Sequence, residues 1–87
     1  MTRLKLRDTD VHWREIDGEV IALDGRTSTY MAANGAGAVL WHALVTGSTR
    51  DGLVEALVGA YGIDRERAGA DVDRFLEELA GHGLLAA

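Results

Sequence analysis

Apolar and polar residues alternate in the first third of the chain, with Val11, Trp13 and Glu15 on one side of an extended backbone and His12, Arg14 and Ile16 on the other. The pair Asp17-Gly18 follows. A two-residue Asp-Gly connection between β-prone runs is a strong hairpin signal, because both central positions of the tight turn need positive φ. The pattern therefore predicts a second strand at Glu19-Val20-Ile21-Ala22-Leu23, ended by a repeat of the turn chemistry at Asp24-Gly25. A third strand, short and polar, is predicted at Thr27-Ser28-Thr29-Tyr30-Met31.

After Met31 the period changes to that of a helix. Asn34 is a suitable N-cap, Val39, Leu40, Trp41, Leu44 and Val45 recur at helical spacing, and Gly47 closes the segment. A second helix is capped by Ser48 or Thr49, with Asp51 three residues after Ser48, an apolar stripe of Leu53, Val54, Leu57, Val58 and Tyr61, and a stop at Gly62. Asp64 caps a third helix, in which Ala68, Val72, Phe75, Leu76 and Leu79 share one face until Gly81 and Gly83. The tail Leu84-Leu85-Ala86-Ala87 is apolar enough to pack back on helix one or the sheet. The expectation is an α+β, winged helix-turn-helix-like fold: a three-stranded antiparallel sheet followed by three helices, as one domain over residues 1–87.

Composition narrows the function. The 87 residues suffice for one modest core, and 47% hydrophobic with 26% charged residues is ordinary for a globular chain. With no cysteine, disulfides, thiolate metal sites and thiol nucleophiles are excluded, and a reducing, cytoplasmic setting fits. The charged start Arg3-Leu4-Lys5-Leu6-Arg7-Asp8 leaves no room for a signal-peptide apolar region, and no apolar run approaches membrane length. A net charge of −5 disfavours phosphate backbones, and a recognition helix carrying Asp71, Asp73, Glu77 and Glu78 would repel them, so a winged-helix nucleic-acid binder is the weaker reading.

No catalytic constellation emerges. His12, His42 and His82 are too far apart in sequence for a helical metal motif, and Ser28-Thr29 and Ser48-Thr49 have no neighbouring base at a recognisable spacing. Arg50-Asp51-Gly52-Leu53 has glycine where a carrier domain would need its serine. No enzyme, metal or cofactor is expected.

The order of elements and the residues at their joints resemble the PqqD-like family over nearly the whole chain. The resemblance rests on Gly18-Glu19-Val20-Ile21-Ala22-Leu23-Asp24, Tyr30-Met31-Ala32-Ala33-Asn34, Gly37-Ala38-Val39-Leu40-Trp41 and Gly47-Ser48-Thr49. It continues through Tyr61-Gly62-Ile63-Asp64, Asp71-Val72-Asp73-Arg74-Phe75-Leu76-Glu77-Glu78-Leu79 and Gly83-Leu84-Leu85. It implies a stand-alone recognition element that binds the leader of a ribosomally made precursor peptide and delivers it to a modifying enzyme. A free-standing chain most resembles those of lasso-peptide assembly, where the partner is a separate leader peptidase; the alternative is a chaperone of pyrroloquinoline quinone biosynthesis. In such elements the leader extends the sheet beside the third strand. By that likeness Thr27, Ser28, Thr29, Tyr30 and Met31 would form the docking strand, and Asp71, Val72, Phe75, Glu78 and Leu79 would border the peptide groove, with Asp71 and Glu78 meeting cationic leader residues.

Overall fold

The computed structural model describes residues 2–86, so the tail residue Ala87 lies outside them. In chain order the elements are β1 (Arg3–Leu4), β2 (Val11–Ile16), β3 (Glu19–Asp24), β4 (Thr29–Ala33), α1 (Ala36–Thr46), β5 (Ser48–Thr49), α2 (Arg50–Tyr61) and α3 (Arg65–Gly81). β2, β3 and β4 make an antiparallel sheet in that spatial order, and the three helices follow it as the alternation and helical periods require.

The β2–β3 hairpin turns on Asp17 and Gly18, both at positive φ (52° and 81°), the conformation an Asp-Gly turn requires. The second connection differs from expectation. Its left-handed residue is Ser28 (φ 57°), and four residues, Gly25 to Ser28, join β3 to β4. The cause is Asp24, whose carboxylate is only 3% exposed and accepts hydrogen bonds from the Arg26 amide (3.0 Å) and from Arg7 Nη2 (2.6 Å). Those bonds hold the chain in a turn past Gly25. Thr27 and Ser28 therefore belong to the turn, and β4 runs on instead through Ala32 and Ala33.

One sheet face is buried. Val20 and Ala22 of β3 and Met31 and Ala33 of β4 point inward onto Leu40, Trp41 and Leu44 of α1, which in turn meet Leu53, Val54 and Leu57 of α2 and Ala68, Val72 and Leu79 of α3. Period two in the strands and 3.6 in the helices thus converge on a single core.

Helix ends follow local chemistry. Asp64 Oδ1 accepts from the Arg67 amide at 2.8 Å and Thr49 Oγ1 from the Gly52 amide at 3.0 Å, each satisfying a donor that the first helical turn leaves free. Ser48 does not cap α2; its hydroxyl donates instead to the Thr49 carbonyl at 3.2 Å. The cap of α1 is Gly35, not Asn34: φ 53° with ψ −123° suits only glycine, and the Asn34 contribution is its carbonyl, which accepts from the Gly37 amide.

β1 was not anticipated. It pairs antiparallel with β5, Arg3 opposite Thr49 and Leu4 opposite Ser48, and the Arg3 guanidinium donates to the Gly47 carbonyl at the end of α1. The C-terminal tail packs back with Leu84 buried, but its backbone partner is the N-terminal segment and not helix one or the sheet: Leu85 is bridged to Leu6, and the Ala86 amide donates to the Lys5 carbonyl. Arg7 ties these parts together by donating to Asp24, to the Gly83 carbonyl and to the Thr9 carbonyl.

The Arg7 hydrogen bond holds the Asp24 carboxyl below its ordinary 3.8, against the opposing effect of burial. A group whose folded-state pKa is depressed contributes stability that is complete above its unfolded value and is lost as pH falls through the folded one. Denaturant midpoints should therefore drop as pH falls below about 4, and the Asp24→Asn variant should be less stable at neutral pH with a flatter acid limb. Parallel acid limbs in the two proteins would remove Asp24 from this account.

Candidate functional site

Both outer strands of the sheet have a free edge, and the hydrogen-bond phase decides which backbone groups each exposes. The Gly25 amide donates to the Asp10 carbonyl at 2.7 Å, which extends the β2–β3 register by one pair. Alternation along an antiparallel ladder then turns the main-chain groups of His12, Arg14 and Ile16 toward β3, and those of Val20, Ala22 and Asp24 toward β4. Their partners Ala33, Met31 and Thr29 point inward to the ladder. The groups left facing solvent along β4 are those of Tyr30 and Ala32.

The same two residues have exposed side chains on the outer sheet face, Tyr30 being 70% exposed, whereas Met31 and Ala33 face the core side. A strand laid beside β4 would thus alternate: residues bonding to Tyr30 and Ala32 would point to the outer face, and those between them would point toward the helices.

Next to β4 the helices supply a trough. One part, about 240 Å³, is lined by Ala36, Gly37, Leu40, Asp71, Arg74, Phe75 and Glu78. A second, about 410 Å³, is lined by Gly35, Ala36, Tyr61, Ile63, Arg67 and Asp71. The two share Ala36 and Asp71 and form one channel between the start of α1 and α3. Its connection to β4 is Gly37, where a Cβ would stand 3.2 Å from the Ala33 Cβ and 3.3 Å from Phe75 Cε1.

Of the residues singled out from sequence, Tyr30 and Met31 lie in β4, with Thr29 bonded inward, and Asp71, Phe75 and Glu78 line the trough. Val72 and Leu79 do not reach it; both are fully buried, because they occupy the centre of the α3 apolar stripe and not its margin. Thr27 and Ser28 sit in the turn. Asp71 is not a free acceptor: Arg74, one turn on, pairs with it at the trough rim. Among the described residues Glu78 and Arg67 form no salt bridge, so the rim presents both signs of charge.

Sequence reasoning missed Gly37, Tyr61, Ile63 and Ala32. Tyr61 and Ile63 flank the left-handed Gly62 (φ 65°), which ends α2 and swings both toward the channel. An aromatic directly before a helix-ending glycine, Tyr61-Gly62, is the sequence signal that could have found this part of the site.

The Gly37→Ala variant follows from this geometry. The added methyl suits a helix, yet it meets Ala33 and Phe75 too closely, and the ring, open to the trough on one side, is the group that can move. Peptide affinity should fall by roughly ten-fold, and the melting temperature should fall too, since the nearer contact, the Ala33 Cβ, is fixed to β4. Unaltered affinity in a titration would show that no ligand group enters this part of the trough.

An α+β module with a free sheet edge beside a helix-lined channel has the geometry to accept an added strand. The chain belongs to the family described as coenzyme PQQ synthesis protein D (PqqD), which it matches over residues 19–85. Among solved structures it is similar to TbiB1 in complex with the TbiA(beta) leader peptide, with 32% identity, 95% of each chain covered and a TM-score of 0.87. It shares its fold with lasso peptide synthetase B1 complexed with the leader peptide, at 23% identity, covering 97% of this chain and 98% of that one, with a TM-score of 0.83. No curated protein matches it.

Proposed function

We propose that this chain, acting as one module, captures the leader segment of a ribosomally made precursor peptide by β-strand addition at β4 and delivers it to a modifying enzyme, a leader peptidase of lasso-peptide assembly. The observation that supports this best is the outward pair of main-chain groups at Tyr30 and Ala32 lying beside the trough under Phe75 and Gly37. Backbone pairing gives affinity regardless of sequence, and the channel selects alternate side chains. The relative that is 32% identical over nearly the whole chain was solved with a leader peptide, which favours the same ligand class here.

In this reading the protein acts by binding and holds no metal or cofactor. Among the described residues no cluster of three or more His, Asp or Glu side chains is placed to hold a metal ion, and no helix is long and apolar enough to cross a membrane. The action belongs in the cytoplasm, where ribosomal peptides are made. The second reading, a peptide chaperone of pyrroloquinoline quinone biosynthesis, draws on the family description. Nucleic acid is disfavoured because Asp73, Glu77 and Glu78 are exposed along α3.

Calorimetric titration with the TbiA(beta) leader peptide and with leaders of other lasso precursors tests the proposal. One peptide should bind per chain, while the precursor of pyrroloquinoline quinone should bind more weakly. Preference for the latter would select the second reading, and failure of every leader to bind would contradict both.

A further inference from the structure

The opposite edge of the sheet is also open. β2 is bonded to β3 on one side, and the alternation that exposes Tyr30 and Ala32 on β4 exposes the main-chain groups of Val11, Trp13 and Glu15 on β2. Edge strands are commonly blunted by proline, by a bulge, by brevity or by charged side chains, and of these devices β2 carries only the charges of Arg14, exposed on the outer face, and Glu15. β2 has six residues, pairs in unbroken register, and belongs to a chain with no proline. It also carries two large apolar side chains in contact with solvent, Trp13 at 38% and Ile16 at 53% exposure.

A helix borders this edge too. The Trp13 ring stands edge-on to Trp41 and to His42 of α1, with centroids 6.0 and 5.5 Å apart. Glu15 is folded against the same helix, its Oε1 3.3 Å from His42 Nε2, so its carboxylate does not cover the strand. Between β2 and α1 lies a hollow of about 140 Å³ walled by Leu6, Val11, Trp13 and Val45, with Arg7 and Asp8 at its mouth. Arg7 is already engaged by Asp24. Asp8 and Asp10 precede the strand and Asp17 follows it, all exposed, and among the described residues none of the three forms a salt bridge.

We propose that the β2 edge is a second strand-pairing site, which receives an extended, basic segment of a partner protein while the peptide occupies β4. Main-chain bonds would go to Val11, Trp13 and Glu15, a medium-sized apolar residue would enter the hollow, and Lys or Arg at the ends of the segment would meet Asp8, Asp10 and Asp17. A second copy of this chain fits poorly, since twofold pairing would line Asp8, Asp10, Glu15 and Asp17 of both copies along one seam. Strands added at both edges would be four strand spacings apart, about 19 Å, so neither excludes the other. The proposal stands independently of capture at β4.

The test uses the full chain carrying Ala32→Pro, which blocks the β4 edge, as bait for a display library of random peptides of about twelve residues. Enriched peptides should carry Lys or Arg around a β-branched core, bind wild type equally well, and shift the amide resonances of residues 11–15. Their affinity should drop at least ten-fold between about 50 and 500 mM salt, as screened contacts do. It should also drop about ten-fold in Glu15→Pro, which removes an outward donor, and not in Glu15→Gln. Should Glu15→Pro not fold, the double variant Asp8→Asn/Asp17→Asn decides, because asparagine tolerates the left-handed φ of residue 17. No enrichment, peptides without basic residues, salt-independent binding, resonance shifts away from β2, or a sedimenting dimer with protected β2 amides would overturn the proposal. Leader binding at β4 would be untouched by any of these results.

Discussion

Replacing Ala32 with proline is expected to weaken leader binding by roughly 30- to 100-fold while leaving the fold intact. Ala32 is the second of the two β4 residues whose main-chain groups face solvent. Its N–H serves no bond within the sheet, so proline removes nothing from the folded chain, and a proline whose missing donor faces outward is tolerated on an edge strand. For an incoming strand the loss is twofold: a peptide carbonyl loses its donor on burial, about 1–3 kcal/mol, and the ring crowds the approach. The resulting penalty of about 2–2.8 kcal/mol gives the stated range. Proline at Met31, one residue earlier, has the opposite outcome: its N–H bonds to β3 and its side chain is buried, so that variant should unfold. Calorimetry beside thermal melts separates the two, and equal binding loss with equal melting loss in both variants would argue against edge pairing.

Truncating Leu79 to alanine should cost much stability and little affinity. Leu79 has no exposed surface, and cavity formation at such a site costs about 2–5 kcal/mol. Against a total of about 5–15 kcal/mol for a domain, that is a lowering of the melting temperature by roughly 10–30 °C. At temperatures where the variant is folded, peptide affinity should stay within about two-fold of wild type. Phe75, one turn earlier, should behave differently. It is 8% exposed along the trough, so Phe75→Ala should lower affinity as well as stability. If Leu79→Ala weakened binding as much as Phe75→Ala in the folded state, the division of α3 into core stripe and trough margin would be wrong.

Local chemistry was the most legible part of the fold. Asp17-Gly18 can turn a hairpin in two residues, Asp64 and Thr49 present cap oxygens at helix starts, and Gly62 accepts the left-handed stop. Each of these is decided within a few residues, and the structure bears each out. Apart from the α1 cap, which is Gly35 and not Asn34, the errors arose where distant groups take part. The turn after β3 is held by Asp24, which accepts from the Arg26 amide two residues on and from Arg7 seventeen positions back, and the third strand begins two residues later than its pattern predicts, without Thr27 and Ser28. β1 and β5 are two residues each and pair across more than forty positions, too short to show a period. The same limit governed the site. Helical spacing placed Val72, Phe75 and Leu79 on one face, but only packing against α1 and α2 shows that the first and last are sealed while Phe75 reaches the trough. Gly37 and Ala32 carry no side-chain chemistry to notice. They matter because of a close approach and a hydrogen-bond phase, which exist only in the folded chain.

Amide hydrogen exchange on the free protein and on its complex with a bound leader peptide is the most direct test of strand addition at β4. Exchange of the Tyr30 and Ala32 amides should be fast in the free chain and slowed by at least ten-fold in the complex, while Thr29, Met31 and Ala33, already bonded to β3, should change little. Unchanged exchange at Tyr30 and Ala32 in a saturated complex would show that the leader binds elsewhere and would contradict the account.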